Sequence, residues 1–557
     1  MRWRDDPDTL ALTAPGAPFE LVPDDVLGEP MLVFRNRPSS ARELLADSTR
    51  HGDATYVTVG EQRLSFAEHL ELAAAAAALL RDEFGVRPGD RVALLAANRA
   101  EWIVMFWAVV SSGAVVASMN SYWSPAEVAA ALADCEPKVV FADAERQALL
   151  PADAPPVLDA EHLYERLAPY RGAALPSDPI GEDDPAVILY TSGTTGRSKA
   201  AVASHRSICG TVSVARFSGA RGVAAAARAG VAAASIGTKQ TALVTLPLFH
   251  ASGMYGFVVV QLASGGSIVL RPGRFDPDDV IGVIDAERVT LWAALGSAAP
   301  RVAARVAELR AAGTPPDLSS VALLAVGGAP VSDTVLDRLR ATFPNASLNV
   351  SQGYTSSEAV AVVTRIQGDE LRQHPRSVGS PLITTEVEIR DEHGAPVPDG
   401  VTGEIHVRSP WLMSEYWRAP EATAQVLKPG RWLAMGDIGH VADGRLFIDS
   451  RVNDMILVNA ENVYPAEIEI RLDAHPDVVE SAVVGVPDDL TGEAAAAAVV
   501  VRPGSTPTPD ELVAWCRSTM PAYKVPTRWD VRAEPLPRNA SGKVLKRELG
   551  SDGFASD

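Results

Sequence analysis

Over residues 64–143 the apolar positions switch between two spacings. An alanine-rich stretch at 67–84 suits a helix, a Gly85-Val86-Arg87-Pro88-Gly89-Asp90 turn follows, and Arg91-Val92-Ala93-Leu94-Leu95 reads as a strand. A further helix, a short strand near 115–119, a helix opened by Ser124-Pro125 and the strand Lys138-Val139-Val140-Phe141-Ala142 continue the alternation. That rhythm is the mark of a parallel sheet with helical crossovers. The most apolar early run, 102–117, is about 16 residues, short of the ~20 needed to cross a bilayer, so it is expected to be a buried helix running into a strand.

Strand patterns recur at 241–246, 267–270, 291–295 and 321–326, separated by helical ones, which implies a second α/β layer sharing helices with the first. Residues 216–238, rich in Ala, Gly, Val and Arg with little periodicity, read as a loop or insertion. The alanine runs at 73–78 and 494–498 share no surrounding pattern and are expected to reflect helix propensity and compositional bias, not a repeat. After Ser380 the texture becomes strands and turns (386–389, 403–407, 444–448), a β-rich lobe. Beyond Arg451 a helix at 465–474, a strand at 478–486 and a lysine-rich end form a small unit. The expected fold class is α/β: a large N-terminal body of two layered, mostly parallel sheets plus the β-rich lobe over 1–450, then a small α+β C-terminal domain over 455–557.

Composition narrows the function. With 557 residues, 47% hydrophobic and 22% charged, a single small binding module and a mostly disordered chain are both excluded. The net charge of −20 repels nucleic acid and anionic lipid, so a phosphate-bearing ligand needs a local device to receive it. Cys135, Cys209 and Cys516 are odd in number and far apart, which fits structural filler in a reducing cytoplasm rather than disulfides or a thiolate metal site. The opening Met1-Arg2-Trp3-Arg4-Asp5-Asp6-Pro7 lacks the apolar stretch of a secretory signal, so a cytoplasmic location without an integral membrane segment is expected.

The local device is the run Ala186-Val187-Ile188-Leu189-Tyr190-Thr191-Ser192-Gly193-Thr194-Thr195-Gly196-Arg197-Ser198-Lys199. A buried strand feeds a loop in which glycines let backbone N–H groups point inward, hydroxyls add donors and Lys199 adds charge. It is not a Walker loop, because Lys199 does not directly follow Gly196. The ordered run Thr191, Ser192, Gly193, Thr194, Thr195, Gly196 and Lys199 resembles the phosphate-binding signature of the acyl-adenylate-forming (AMP-binding) enzymes: acyl-CoA synthetases, amino-acid adenylation domains and luciferase-type enzymes.

Further segments resemble that family in the same order, from roughly residue 40 to 549. Gln352-Gly353-Tyr354-Thr355-Ser356-Ser357-Glu358 is similar to its aromatic-to-glutamate motif, with Ser357 where Thr is usual. The resemblance implies that Tyr354 stacks on adenine and that Glu358, with Thr191, holds the Mg²⁺ that accompanies ATP. Gly353, Thr355 and Ser356 belong to the same nucleotide-binding stretch. Trp432-Leu433-Ala434-Met435-Gly436-Asp437 resembles the segment whose aspartate accepts from both ribose hydroxyls, and Arg451 matches the arginine that also touches ribose or phosphate. Pro537-Arg538-Asn539-Ala540-Ser541-Gly542-Lys543 is similar to the catalytic-lysine loop, which implies that Lys543 bridges the substrate carboxylate and the α-phosphate. The family's hinge falls at 451–454, on Asn453, where Asp or Lys is usual, and the small domain is expected to swing about it.

Leu246-Pro247-Leu248-Phe249-His250-Ala251-Ser252-Gly253-Met254 resembles the segment beside the acid pocket, where His250 is usual for acyl- and aryl-CoA ligases. No aspartate stands there to pair with an α-ammonium group, which disfavours amino acids. The implied pocket includes Gly253, Met254, Gly296, Ser297, Gly327, Gly328, Ser351 and Gln352, small and mostly neutral, with room for a fatty or aromatic acid. Asn459 and Ala460 stand where CoA ligases commonly have two glycines lining the acceptor tunnel. The expected function is ATP-dependent carboxylic acid:CoA ligation through acyl-AMP, with ATP, Mg²⁺ and CoA. The alternatives are an adenylating enzyme that serves a carrier protein, an amine or another small nucleophile, and a catalytically silent nucleotide-binding protein.

Overall fold

The computed structural model describes residues 6–191, 199–228, 239–271, 273, 275–295, 298–327, 333–346, 350–451, 454–458, 461–488, 492–538, 544–549 and 554–556. Local signals start the early helices. Phe66–Glu83 opens on a capping box in which Ser65 accepts from the Glu68 N–H and the Glu68 side chain returns the bond. Pro125–Cys135 repeats the device with Ser124, Pro125 and Glu127.

The first sheet runs Val157–Asp159, Val139–Ala142, Arg91–Leu95, Val115–Ser118, Pro185–Thr191, all parallel, then Lys199–Ser204 and Glu415–Tyr416 antiparallel. The second sheet has a parallel core of Thr55–Val59, Ser267–Leu270, Thr241–Val244, Leu291–Leu295, Leu323–Gly327 and Val350–Tyr354. Helix Ala100–Ser111, buried at every position but Glu101, fills the space between the layers. One apolar cluster holds Val92 and Val187 of the first sheet together with Tyr56, Val244 and Ile268 of the second. The two layers thus share helices, as the sequence pattern implies, and 102–117 is a buried helix leading into a strand.

The β-rich lobe is an extension of the second sheet. Beyond Val350–Tyr354 the order continues antiparallel through Thr364–Gln367, Ser377–Pro381, Arg445–Arg451, Trp432–Ala442, Gly403–Arg408 and Glu386–Arg390. The junction depends on Gly379 at φ 92°, where a β-carbon would lie 2.1 Å from the Arg365 carbonyl oxygen.

Two expectations need correction. Residues 216–228 are not a loop: they complete helix His205–Arg228, buried along its first half as far as Phe217, with Arg221 and Arg228 ion-paired to Asp6 and Asp8. The remainder of that stretch, 229–238, lies outside the described residues. The alanines at 494–498 are not helical. They sit in strand Gly492–Val501, paired to Val478–Asp488 on one side and Arg528–Arg532 on the other, and are nearly without exposure. Burial on both faces of a central strand outweighs alanine's helix preference, and small side chains suit that crowding. Helices Pro465–Asp473 and Pro509–Arg517 cover this third sheet.

The three cysteines are buried and free, and burial pushes the thiols of Cys135 and Cys516 up to about 11, as expected of packing groups. Among the described residues, no helix is long and apolar enough to cross a membrane.

Candidate functional site

In an open parallel sheet, ligands gather beyond the carboxyl ends of the strands, where loops diverge. The implicated residues Thr191, Gly327 and Tyr354 each end a parallel strand of one of the two layers. Thr191 and Lys199 face each other across the antiparallel pair Pro185–Thr191 and Lys199–Ser204. Ser192, Gly193, Thr194, Thr195 and Gly196 lie outside the described residues, as do Gly296, Ser297, Gly328, Asn453, Asn459, Ala460 and Lys543.

The best-defined contact joins two segments 83 residues apart. The Tyr354 hydroxyl donates to Asp437 Oδ2 at 2.5 Å, with both residues buried. Asp437 lies opposite Arg451 in the register of Trp432–Ala442 and Arg445–Arg451. An aromatic face, a carboxylate and the arginine position therefore converge where the sequence motifs point.

A second tyrosine–carboxylate pair lies nearby in the fold. The Tyr416 hydroxyl donates to Glu358 Oε1 at 2.8 Å, and Met413 N–H donates to the Glu358 carbonyl at 2.9 Å. The short strand Glu415–Tyr416 is itself the neighbour of Lys199–Ser204, with Tyr416 opposite Ala201. Lys199 Nζ stands 5.1 Å from the centroid of the Tyr416 ring, within cation–π range. Burial, and then the Glu358 charge, raise the Tyr416 pKa, so the phenol stays a donor. Tyr416 thus links Lys199 to Glu358. Sequence reasoning missed it because the partners are 58 residues apart and meet only through strand pairing. Within the motif, Ser356 Oγ accepts from Ala359 N–H at 3.2 Å and Thr355 Oγ1 donates to the Ala361 carbonyl at 2.9 Å, which holds Glu358 in a defined turn. Ser357 lies in the same described segment.

The donor set fits Mg²⁺: a hard carboxylate with one oxygen engaged by a neutral hydroxyl. Among the described residues no group of three His, Cys, Asp or Glu could hold a metal. A cation bound here needs phosphate oxygens and water as its remaining ligands.

His250 begins the next wall. Its Nδ1 lies 3.0 Å from Ser252 Oγ and caps the short helix Ala251–Gly253, and burial lowers its pKa, so the ring is neutral near pH 7. The segment is pinned from the first sheet's side. Asn98 donates to the Leu246 carbonyl and accepts from Leu248 N–H, each at 2.8 Å, and Ser118 Oγ donates to the Phe249 carbonyl at 3.0 Å. Asn98 and Ser118 were not singled out by any motif. Gly253 is required sterically, since a β-carbon there would sit 2.2 Å from the Pro247 carbonyl oxygen. Met254 follows fully buried, as core rather than as an open pocket wall. Ser351 and Gln352 are also buried, and the Gln352 Oε1 atom has no hydrogen-bond partner among the described residues.

The chain is similar to known proteins along most of its length. The family model for the AMP-binding enzyme matches residues 45–417, and that for the AMP-binding enzyme C-terminal domain matches 467–543. A feruloyl-CoA synthase of an Amycolatopsis species is 36% identical over 503 residues, 89% of this chain and 95% of the relative. The long-chain-fatty-acid–CoA ligase FadD13 of Mycobacterium tuberculosis is 33% identical over 505 residues, 87% and 92% of the two chains. Among solved structures, the amide bond synthetase McbA of Marinactinospora thermotolerans superposes with a TM-score of 0.75 at 31% identity, covering 92% of this chain and 99% of its own.

Proposed function

The chain belongs to the AMP-binding enzyme family, and from that premise we propose that it is an ATP-dependent carboxylic acid:CoA ligase working through an acyl-AMP intermediate. The observation that carries the reading is the Tyr354–Asp437 hydrogen bond, which unites the aromatic motif and the ribose-binding motif in one buried corner.

In this reading the residues divide the work. Lys199 and the backbone of the 191–196 loop receive the phosphates of ATP. The Tyr354 ring lies against adenine while its hydroxyl fixes Asp437, whose carboxylate accepts from the ribose hydroxyls, with Arg451 beside it. Glu358, steadied by Tyr416, would hold Mg²⁺ with Thr191; the ion supplies charge neutralisation for the phosphates. The substrate carboxylate enters past neutral His250, and one of its oxygens attacks the α-phosphorus as the bond to the bridging oxygen breaks and pyrophosphate leaves. Lys543 stabilises the charge that gathers on that oxygen and the α-phosphate. In the second step the CoA thiolate attacks the acyl carbon and AMP departs. Two domains divided at 451–454 and swinging about Asn453 serve these two steps in turn, in a soluble cytoplasmic protein.

One observation favours a second reading, in which the activated acyl group goes to a different acceptor. Asn459 and Ala460 add side chains where CoA ligases commonly have glycine, and an amide bond synthetase is among the similar structures. A carboxylic-acid screen with and without CoA, following pyrophosphate and product mass separately, tests both. Acid-dependent pyrophosphate release with acyl-CoA formation is expected. Pyrophosphate release without thioester supports the other acceptor, and restoration of thioester by Ala460→Gly would then locate the block. No acid-dependent pyrophosphate across a broad panel overturns both readings and leaves a silent nucleotide-binding protein.

A further inference from the structure

Directly opposed residues of an antiparallel pair project to the same side of a sheet. Strand Val350–Tyr354 runs against Thr364–Gln367 with Ser351 opposite Gln367 and Gly353 opposite Arg365. Ser351, Gly353 and Arg365 therefore share one face, while Tyr354 and Ile366 are buried on the other. Val362 belongs to the first face as well: a β-carbon built on Gly353 would approach its Cγ1 to 3.3 Å, and Val362 is 41% exposed. This wall is neutral around Gly353, with Val362 apolar and Ser351 and Gln367 polar, and ends in a guanidinium.

Arg365 is an unusual residue to find there. Part of its surface reaches solvent although protein atoms crowd the rest, and among the described residues its guanidinium makes neither an ion pair nor a hydrogen bond. Desolvation by the protein around it, and then repulsion from Arg221 on helix His205–Arg228, hold its pKa below the ordinary arginine value. Arg221 shares its own charge with Asp6 at 4.0 Å. A chain of net charge −20 has no shortage of acids, yet none of the described ones neutralises Arg365. A guanidinium without a counter-ion at the end of a neutral wall is a group that an anion stabilises.

We propose that Arg365 is the subsite for a second anionic group on the acid substrate, so that the preferred substrates carry a distal carboxylate or similar anion beyond an apolar or aromatic spacer. The inference deepens the ligase reading and rests on its assignment of Ser351, which shares this face with Gly353, to the acid pocket. The neutral part of the wall takes the spacer, and the guanidinium replaces the water that a distal carboxylate gives up. The phosphates of CoA are the competing source of the same anionic chemistry.

The test compares matched acids, cinnamate with 4-carboxycinnamate and octanoate with octanedioate, in acid-dependent pyrophosphate exchange without CoA. The diacid of at least one pair is expected to be preferred tenfold or more in kcat/KM. Arg365→Gln should erase that preference by raising KM for the diacid, with KM for ATP unchanged, and Arg365→Lys should retain part of it. Calorimetric titration of the same diacids into wild type and R365Q, with a non-hydrolysable ATP analogue present, needs no turnover. It should show at least tenfold weaker binding to the variant even if exchange fails with every acid, a result that would sink the ligase reading alone. Equal treatment of both members of each pair, equal diacid affinity for wild type and R365Q, or an effect confined to KM for CoA in thioester formation would each overturn the proposal.

Discussion

The large body and the C-terminal unit both hold carboxylates that are buried or half-buried, and they satisfy them by opposite means. In the body, Asp437 and Glu358 each accept from a tyrosine hydroxyl, Tyr354 and Tyr416 respectively. In the C-terminal unit, Glu480 pairs with Arg538 and Glu469 pairs with Lys546 at 2.6 Å, and the two cations bracket residues 539–543 in the chain. A neutral phenol orients a carboxylate and leaves its charge for a ligand; a guanidinium or ammonium consumes that charge. The contrast separates carboxylates available for binding from carboxylates committed to holding the chain in place.

The sharpest way to break the contrast is Asp437→Ala. Two charge-assisted hydrogen bonds to ribose, at about 1.5–3 kcal/mol each, put the expected loss in kcat/KM for ATP at about 100-fold or more. Tyr354→Phe keeps the ring and frees the carboxylate to rotate, and should cost nearer tenfold. Pyrophosphate exchange at varied ATP measures both, and equal losses would mean that the phenol binds the nucleotide through its hydroxyl instead of bracing Asp437.

Tyr416→Phe is next in size. It preserves the ring beneath Lys199 and removes only the donor to Glu358. The concentration of Mg²⁺ for half-maximal exchange should rise about three- to tenfold, less than the full worth of one hydrogen bond to a charged group because the freed carboxylate still reaches the ion. Mn²⁺ binding in the presence of ATP, followed by electron paramagnetic resonance, should weaken in parallel while Tm moves little. A lower Tm with unchanged metal dependence would reduce Tyr416 to a packing residue.

The contrast also marks what the sequence could reveal. Capping at Ser65 and Ser124 is written within four residues, and the buried strand that ends at Thr191 is written in its own apolar run. Tyr354, Glu358 and Asp437 are likewise visible one motif at a time. Their tyrosine partnerships are not, because they depend on how the second sheet extends through Ser377–Pro381 and on the pairing of Glu415–Tyr416 with Lys199–Ser204. Arg365 escapes for the same reason: only the register opposite Gly353 shows which face it occupies. The alanines at 494–498 mislead in the other direction, since propensity is local and the burial that overrides it comes from strands on both sides.

On the C-terminal side, Arg538→Ala removes the partner of Glu480, which also accepts from Leu536 N–H at 3.2 Å. The pair is partly exposed, so the expected cost is about 1–2 kcal/mol of stability in that unit. Adenylation should fall less than tenfold, with the affinity for ATP unaltered. Thermal unfolding together with exchange kinetics checks this, and a rise in KM for ATP would show that Arg538 is not confined to its structural pair.

The smallest effect is a slope against pH. Asp473 lies between helix Pro465–Asp473 and strand Val478–Asp488 with Ser481 Oγ donating to its Oδ1 at 2.8 Å. Burial, aided by the charges of Glu469 and Glu480, raises its pKa to about 8, against the opposing hydrogen bond from Ser481. The folded state therefore keeps a proton that the unfolded chain releases near its ordinary value of about 4. Between about pH 4 and pH 8 the folded form binds more protons, so this group's contribution to stability falls as pH rises, and above pH 8 the loss is complete. Among the described residues no cation shares the burden of Asp473 as Lys546 does for Glu469. Asp473→Asn retains an oxygen for Ser481 and has no proton to lose. Its stability should match wild type near pH 5, exceed it at pH 8, and change less steeply between the two. Thermal melts across that range measure the difference, and parallel wild-type and variant curves would show that Asp473 is ionised in the folded unit and that its neighbours already supply the compensation the body obtains from tyrosine.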